Sequence, residues 1–147
     1  MIKHLSYTKI SKYIYIGTAI CCKKHFNQLI KKGFIADVDL EDEKIDRPSG
    51  VKAFLWLPII DFQAPSHTQF HIGARFIDEI VKHKQKCYIH CNEGNGRAPT
   101  MVAAYFVLKG EEAIKAVNKI KRRRKSAHPN TKQINALLKF AKSLKRK

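Results

Sequence analysis

The chain has 147 residues, 44% of them hydrophobic and 10% aromatic, which excludes a disordered tail and suffices for one globular domain with its own core. Its 29 Lys and Arg against 12 Asp and Glu give a formal charge of +17, a field that suits polyanionic partners without choosing among phosphorylated protein, phospholipid surface and nucleic acid. Cys21, Cys22, Cys87 and Cys91 fit neither a disulfide framework nor a C-x2-C zinc pattern, and no apolar run nears the ~20 residues of a membrane span, so the reading is a cytoplasmic monomer with no metal and no transmembrane segment.

The first strand-like run is "YIYIG" (13–17). A helical pattern over His25 to Lys32 follows, with Phe26, Leu29 and Ile30 on one face and Gly33 as its stop. "FIADVDL" (34–40) and "AFLWLPI" (53–59) are two further strands. "SHTQ" (66–69) is a capping box that opens a helix with the stripe Phe70, Ala74, Ile77 and Val81. "KCYIH" (86–90) is the next strand, and beyond it an apolar helix begins near Arg97. Glu111 and Glu112 are placed in the first turn of another helix, which buries Ala113, Ala116, Val117 and Ile120 and ends in a basic run through Lys125. For that run a solvated face is the default reading. The last helix starts after Asn130, with Ile134, Leu137, Leu138 and Ala141 inward. Strands alternating with helices predict one α/β domain over 1–147: three layers, with a central, mostly parallel twisted sheet of four to five strands flanked by helices. Binding loops then lie at the carboxyl ends of the strands.

One such loop carries the chemistry. It reads His90, Cys91, then Asn92, Glu93, Gly94, Asn95 and Gly96, then Arg97. Five residues rich in Gly and Asn can curl tightly, because both types tolerate positive φ. Their N–H groups then converge into an anion nest at a helix N-terminus. Arg97 offers a planar fork to two oxygens of a tetrahedral anion. In that field the Cys91 sulfur is a thiolate nucleophile beneath the bound anion. A Walker-type reading fails, since no G-x4-G-K-[ST] occurs.

The pattern H-C-x5-R resembles the signature of the cysteine-dependent protein tyrosine phosphatase superfamily, and the chain is similar to its compact dual-specificity type. "KYIYIGT", "DFQAPS", the cradle and the last helices carry the likeness over nearly the whole length. The resemblance implies a dual-specificity phosphatase-like fold, hydrolysis of phosphomonoesters through a cysteinyl-phosphate, and no cofactor. Asp61, in the loop after "AFLWLPI" and thirty residues before Cys91, fits the place of the general acid. His90 would support the thiolate. Gln133 would position water, though "NTKQ" (130–133) is also a capping box that explains it without catalysis. "LEDEKIDRPSGVK" (40–52) becomes the rim of the cleft. Ala98 departs from the pattern: most members have Ser or Thr after the Arg to help the sulfur leave, and Thr100 lies on another face of the helix. Slow breakdown of the phosphoenzyme follows.

The substrate stays open at this stage. "YIHCNEGNGRAPTMVAAYF" and "EEAIKAVNKI" also resemble phosphatases of phosphatidylglycerophosphate and phosphoinositides. The basic surface admits an acidic or nucleic-acid partner, including an RNA 5′-triphosphate as substrate, and a slow-turnover phospho-binding protein is the third reading. Cys21 or Cys22 would protect an oxidised Cys91 as a disulfide if the fold brings them close. Cys87 is four strand residues from Cys91, about 13 Å, and too far.

Overall fold

A computed structural model of the chain describes residues 4–146. In chain order the elements are β1 (Tyr7–Lys9), β2 (Ile14–Gly17), α1 (Lys23–Lys31), β3 (Phe34–Glu41), β4 (Ala53–Ile59), α2 (His67–Lys82), β5 (Lys86–His90), α3 (Arg97–Leu108), α4 (Ala113–Arg123) and α5 (Thr131–Lys145). The five strands form one sheet in the order β1-β2-β5-β3-β4. All neighbours are parallel except β1, which runs antiparallel along β2. β1 has only three residues, too few for any alternation to show in the sequence.

Alternating side chains divide the sheet's two faces. Ile14, Ile16, Ala36, Val38, Leu40, Cys87 and Ile89 face the larger core, which α2 to α5 complete. α3 is buried almost all round, which explains its uninterrupted apolar run from Met101 to Leu108. Tyr15, Phe34 and Tyr88 face the other way, onto Phe26 and Leu29 of α1. Each buried Val, Leu, Ile or Phe among them contributes about 1.5–3 kcal/mol by leaving water. Tyr88 also donates its hydroxyl to Thr18 O at 2.6 Å, fixing the end of β2 beside the loop after β5.

Helix starts follow their caps. Ser66 and Gln69 close a reciprocal capping box at α2, and Asn130 and Gln133 close another at α5. At α4 the expectation needs a correction. Glu112 is the N-cap rather than a first-turn residue, accepting from Ile114 N and Lys115 N, and Glu111 precedes the helix.

β5 lies at the middle of the sheet, between β2 and β3. Its carboxyl end is therefore flanked by the ends of two parallel strands, the position where open α/β sheets place their ligands.

Candidate active site

β5 ends at His90, and Cys91 begins the loop that leads to Gly96, the N-cap of α3. The loop's shape is set by what its carbonyls bind. Asn92 O accepts from Ala19 N at 2.9 Å, Glu93 O from Arg124 Nη2 at 2.8 Å, Gly94 O from Arg124 Nε at 2.9 Å, and Asn95 O from His128 N at 2.8 Å. In a trans peptide the N–H points opposite to the C=O, and the described residues contain no cis bond. Four outward carbonyls thus turn the N–H groups of Glu93, Gly94, Asn95 and Gly96 inward, which is the anion nest. Gly94 has φ +75°, and a Cβ there would meet Gly17 O at 2.7 Å and Arg124 Nη2 at 2.8 Å, so only glycine fits.

The nest opens into a cavity of about 330 Å³ that Cys91, Asp61, Phe62, Asn130 and Gln133 line together with the loop and Arg97. Cys91 is 3% exposed and Arg97 1%. A guanidinium so buried needs partners. Nη1 donates to Glu43 Oε1 at 2.7 Å and to Ile59 O at 2.8 Å, and Nη2 donates to Glu43 Oε2 at 2.9 Å. Its Nε–H has no hydrogen-bond partner. Burial works against the Arg97 charge, yet Glu43 and Cys91 hold its pKa above the ordinary value. Arg97 in turn holds the Glu43 carboxyl down at about 2.

Asp61 follows β4 in a turn. Its Oδ1 accepts Phe62 N at 3.0 Å and lies 3.5 Å from Arg97 Nη2. Phe62 takes φ +67° and is 70% exposed on the rim. Gln133 makes the capping box with Asn130 and also faces the cavity, donating Nε2 to Gln63 O at 3.1 Å. Thr100 spends its hydroxyl on Gly96 O at 2.7 Å, and Ala98 is fully buried.

His90 stands apart from the cavity wall. Nδ1 is 3.4 Å from Cys91 O, while Nε2 is 2.6 Å from Asp46 Oδ2 and 3.1 Å from Asp37 Oδ1. Burial disfavours the charged ring, but the facing carboxylates of Asp37, Asp46 and Glu41 outweigh it and raise its pKa well above the ordinary value. Burial also lifts Asp39 in this cluster to about 6. Among the described residues, two groups bring metal-ligating atoms within 4.8 Å of one another, Cys21 with Cys22 and His25, and Asp39 with Glu41, Asp46 and His90. The spacing of these residues along the chain had shown neither.

Several site residues were not singled out from the sequence. Glu43 and Asp46 lie in the 40–52 segment, where they read as ordinary rim charges. Arg124 belongs to the basic run whose default reading is a solvated face, but it is 7% exposed and braces the loop while its Nη1 donates to Thr8 Oγ1 at 2.9 Å. The run's proximity to the helix end offered no signal for this.

The sheet order, the Cys-x5-Arg loop and the anchored guanidinium define a member of the cysteine-dependent protein tyrosine phosphatase superfamily, compact dual-specificity type. Residues 14–111 match the family described as Tc-R-P, the DSP-PTPase phosphatase of polymorphic toxin systems, and the chain belongs to that family. Among curated relatives, mouse phosphatidylglycerophosphatase and protein-tyrosine phosphatase 1 is 36% identical over 84 residues, covering 54% of this chain and 42% of that protein. Human dual specificity protein phosphatase 5 is 30% identical over 89 residues, 59% of this chain and 23% of that protein. The chain spans less than half the length of these relatives. Among solved structures, the active form of Tk-PTP is 26% identical with a TM-score of 0.82, over 93% of this chain and 97% of that one. Human DUSP28, at 20% identity and a TM-score of 0.81 over 95% of both chains, shares the fold.

Proposed function

We propose that the chain hydrolyses phosphomonoesters through a cysteinyl-phosphate, as a dual-specificity protein phosphatase acting on phosphorylated proteins. One observation carries the reading: the nucleophile, an inward ring of N–H groups and a fixed guanidinium converge on one small cavity. The Cys91 thiolate attacks phosphorus, and an S–P bond forms as the P–O bond to the leaving group breaks. Arg97 and the loop amides hold the non-bridging oxygens as charge develops on them. Asp61 gives its proton to the departing oxygen, then takes one from a water that Gln133 positions. Water attack breaks the S–P bond and releases phosphate and the thiolate. No metal or organic cofactor takes part in these steps. His90 acts from behind, as a positive charge bonded to the backbone of Cys91.

In this reading residues 1–147 act as a single catalytic domain and as a monomer in a reducing cytoplasm. The four cysteines are free thiols, and among the described residues no helix is long and apolar enough to cross a membrane. The basic surface, at +17 overall, draws acidic partners toward the cleft.

The experiment is a panel of phosphotyrosine, phosphoserine and phosphothreonine peptides, phosphatidylglycerophosphate, phosphoinositides and 5′-triphosphorylated RNA. A higher kcat/KM on the peptides supports the reading. Faster turnover of the lipids or the RNA overturns the substrate class, and loss of all turnover only in Cys91→Ser keeps the chemistry.

A further inference from the structure

Cys21 and Cys22 lie in the turn between β2 and α1, and nothing in the phosphatase reaction uses them. Their sulfurs are 3.1 Å apart, with Cys21 Sγ donating to Cys22 Sγ. Cys22 is the N-cap of α1, where the uncompensated N–H groups and the positive end of the helix dipole favour a thiolate. The bond from Cys21 holds the Cys22 pKa below its ordinary value, and the same bond raises that of Cys21. The two thiols are thus unlike: Cys22 sits on the helix N-terminus, where a thiolate is favoured, and Cys21 lies outside the helix against it.

His25 decides what the group is built for. It is buried, and burial holds its pKa below the ordinary value. Its Nδ1 accepts Cys21 N–H at 3.3 Å, which leaves the ring proton on Nε2, 3.8 Å from Cys21 Sγ. That tautomer presents the sulfur with an N–H rather than a lone pair. The cluster is therefore a proton-donating chain toward Cys22, not a three-ligand metal site. A cavity of about 420 Å³, lined by both cysteines with Ile20, Phe26, Lys44 and Arg47, opens onto the pair. Both thiols are half-buried and within reach of a small oxidant.

We propose that Cys21 and Cys22 are a redox-modification site, in which a peroxide oxidises Cys22 and Cys21 resolves the product as a vicinal disulfide. The Cys22 thiolate attacks one peroxide oxygen; the O–O bond breaks, a sulfenic acid forms, and the hydroxide released takes up a proton as water. The Cys21 sulfur then attacks the Cys22 sulfur. An S–S bond forms, the S–O bond breaks, and the hydroxyl leaves as water with the proton from the Cys21 thiol. Two thiols and one peroxide become one disulfide and two waters. Consecutive Cα atoms are only about 3.8 Å apart, below the usual disulfide separation, so the bond is strained and readily reduced. It is a reversible mark rather than a structural staple.

The test uses the Cys91→Ser chain, so that only the pair and the fully buried Cys87 remain. After brief treatment with hydrogen peroxide and alkylation with iodoacetamide, the peptide over residues 13–23 is expected unalkylated and lighter by two hydrogens. Dithiothreitol restores both labels. Adding Cys21→Ser leaves a Cys22 sulfenic acid that dimedone captures, whereas adding Cys22→Ser slows peroxide consumption about tenfold or more. The proposal is overturned if both thiols stay open to alkylation, if the two added substitutions behave alike, or if either cysteine of the unsubstituted chain is found joined to Cys91. None of these readouts depends on phosphatase activity.

Discussion

Glu43 grips the Arg97 guanidinium through two parallel bonds of 2.7 and 2.9 Å, although 54 residues separate them in the chain. The pair fixes the plane of the guanidinium that the proposed reaction turns toward phosphate, while Ile59 O takes the remaining Nη1 hydrogen. Glu43→Gln keeps one acceptor and loses the charge. Loss of a charge-assisted bond of this kind costs about 1.5–3 kcal/mol, so kcat/KM on an aryl phosphate is expected to fall about ten- to hundredfold. Because Glu43 titrates at about 2, the pH–rate profile between pH 4 and 8 keeps its shape. A shifted acidic limb in the variant would remove Glu43 from this role.

In the proposed reaction the contribution of Asp61 depends on the leaving group. Asp61→Asn removes the proton donor and leaves the turn's bond to Phe62 N an oxygen acceptor. Turnover of a phosphotyrosine peptide, whose phenoxide needs protonation, is expected to drop about 10²–10⁴-fold. A substrate whose leaving group is already a stable anion is expected to lose far less in the first step. Equal losses on both substrates contradict the assignment.

The buried carboxylates around His90 make folding stability pH-dependent. Asp39 titrates at about 6 because burial penalises its charge, whereas an unfolded Asp titrates near 4. Between about pH 4 and 6 the folded state holds a proton that the unfolded state has lost, so stability falls as pH rises through that window and stays lower above it. A shift of about two units amounts to about 3 kcal/mol. In Asp39→Asn this contribution disappears, while the loss of one of two acceptors for Glu41 N and Asp46 N acts equally at every pH. Urea unfolding at pH 4.5 and pH 7 is expected to show a smaller drop for the variant than for the unsubstituted chain. Parallel drops would contradict the burial of that charge.

Ala98 follows Arg97 with no hydroxyl to offer the departing sulfur, and Thr100 is already bonded to Gly96 O. Ala98→Ser is expected to raise the rate of phosphoenzyme breakdown about ten- to hundredfold, the equivalent of one hydrogen bond to a developing thiolate. Unchanged single-turnover breakdown sinks the idea that this position limits the second step.

Local signals read well and distant ones did not. Cys91, the loop and Arg97 are contiguous, and the strand before them and helix after them have plain periodicities, so the cradle was legible as a unit. The capping boxes at Ser66 and Asn130 are four-residue patterns and fell where read. Glu43, Asp46 and Arg124 are charged residues in charged stretches, and only the tertiary fold turns them inward. Nothing local marks Arg124 apart from Arg122 or Arg123, yet it alone of the three is buried against the loop carbonyls. His90 was visible beside the nucleophile, but the acidic cluster that faces it comes from β3 and the segment beyond it. Cys21 and Cys22, considered as guards of Cys91, have their sulfurs against each other.

The most direct measurement is rapid acid quench of the chain with a ³²P-labelled phosphomonoester, followed by peptide mapping. The account predicts a burst of label approaching one per chain, bound through sulfur to Cys91, stable in acid and absent from Cys91→Ser. A Cys91→Ser chain that still turns over substrate at the original rate, or label found on a side chain other than Cys91, would contradict it.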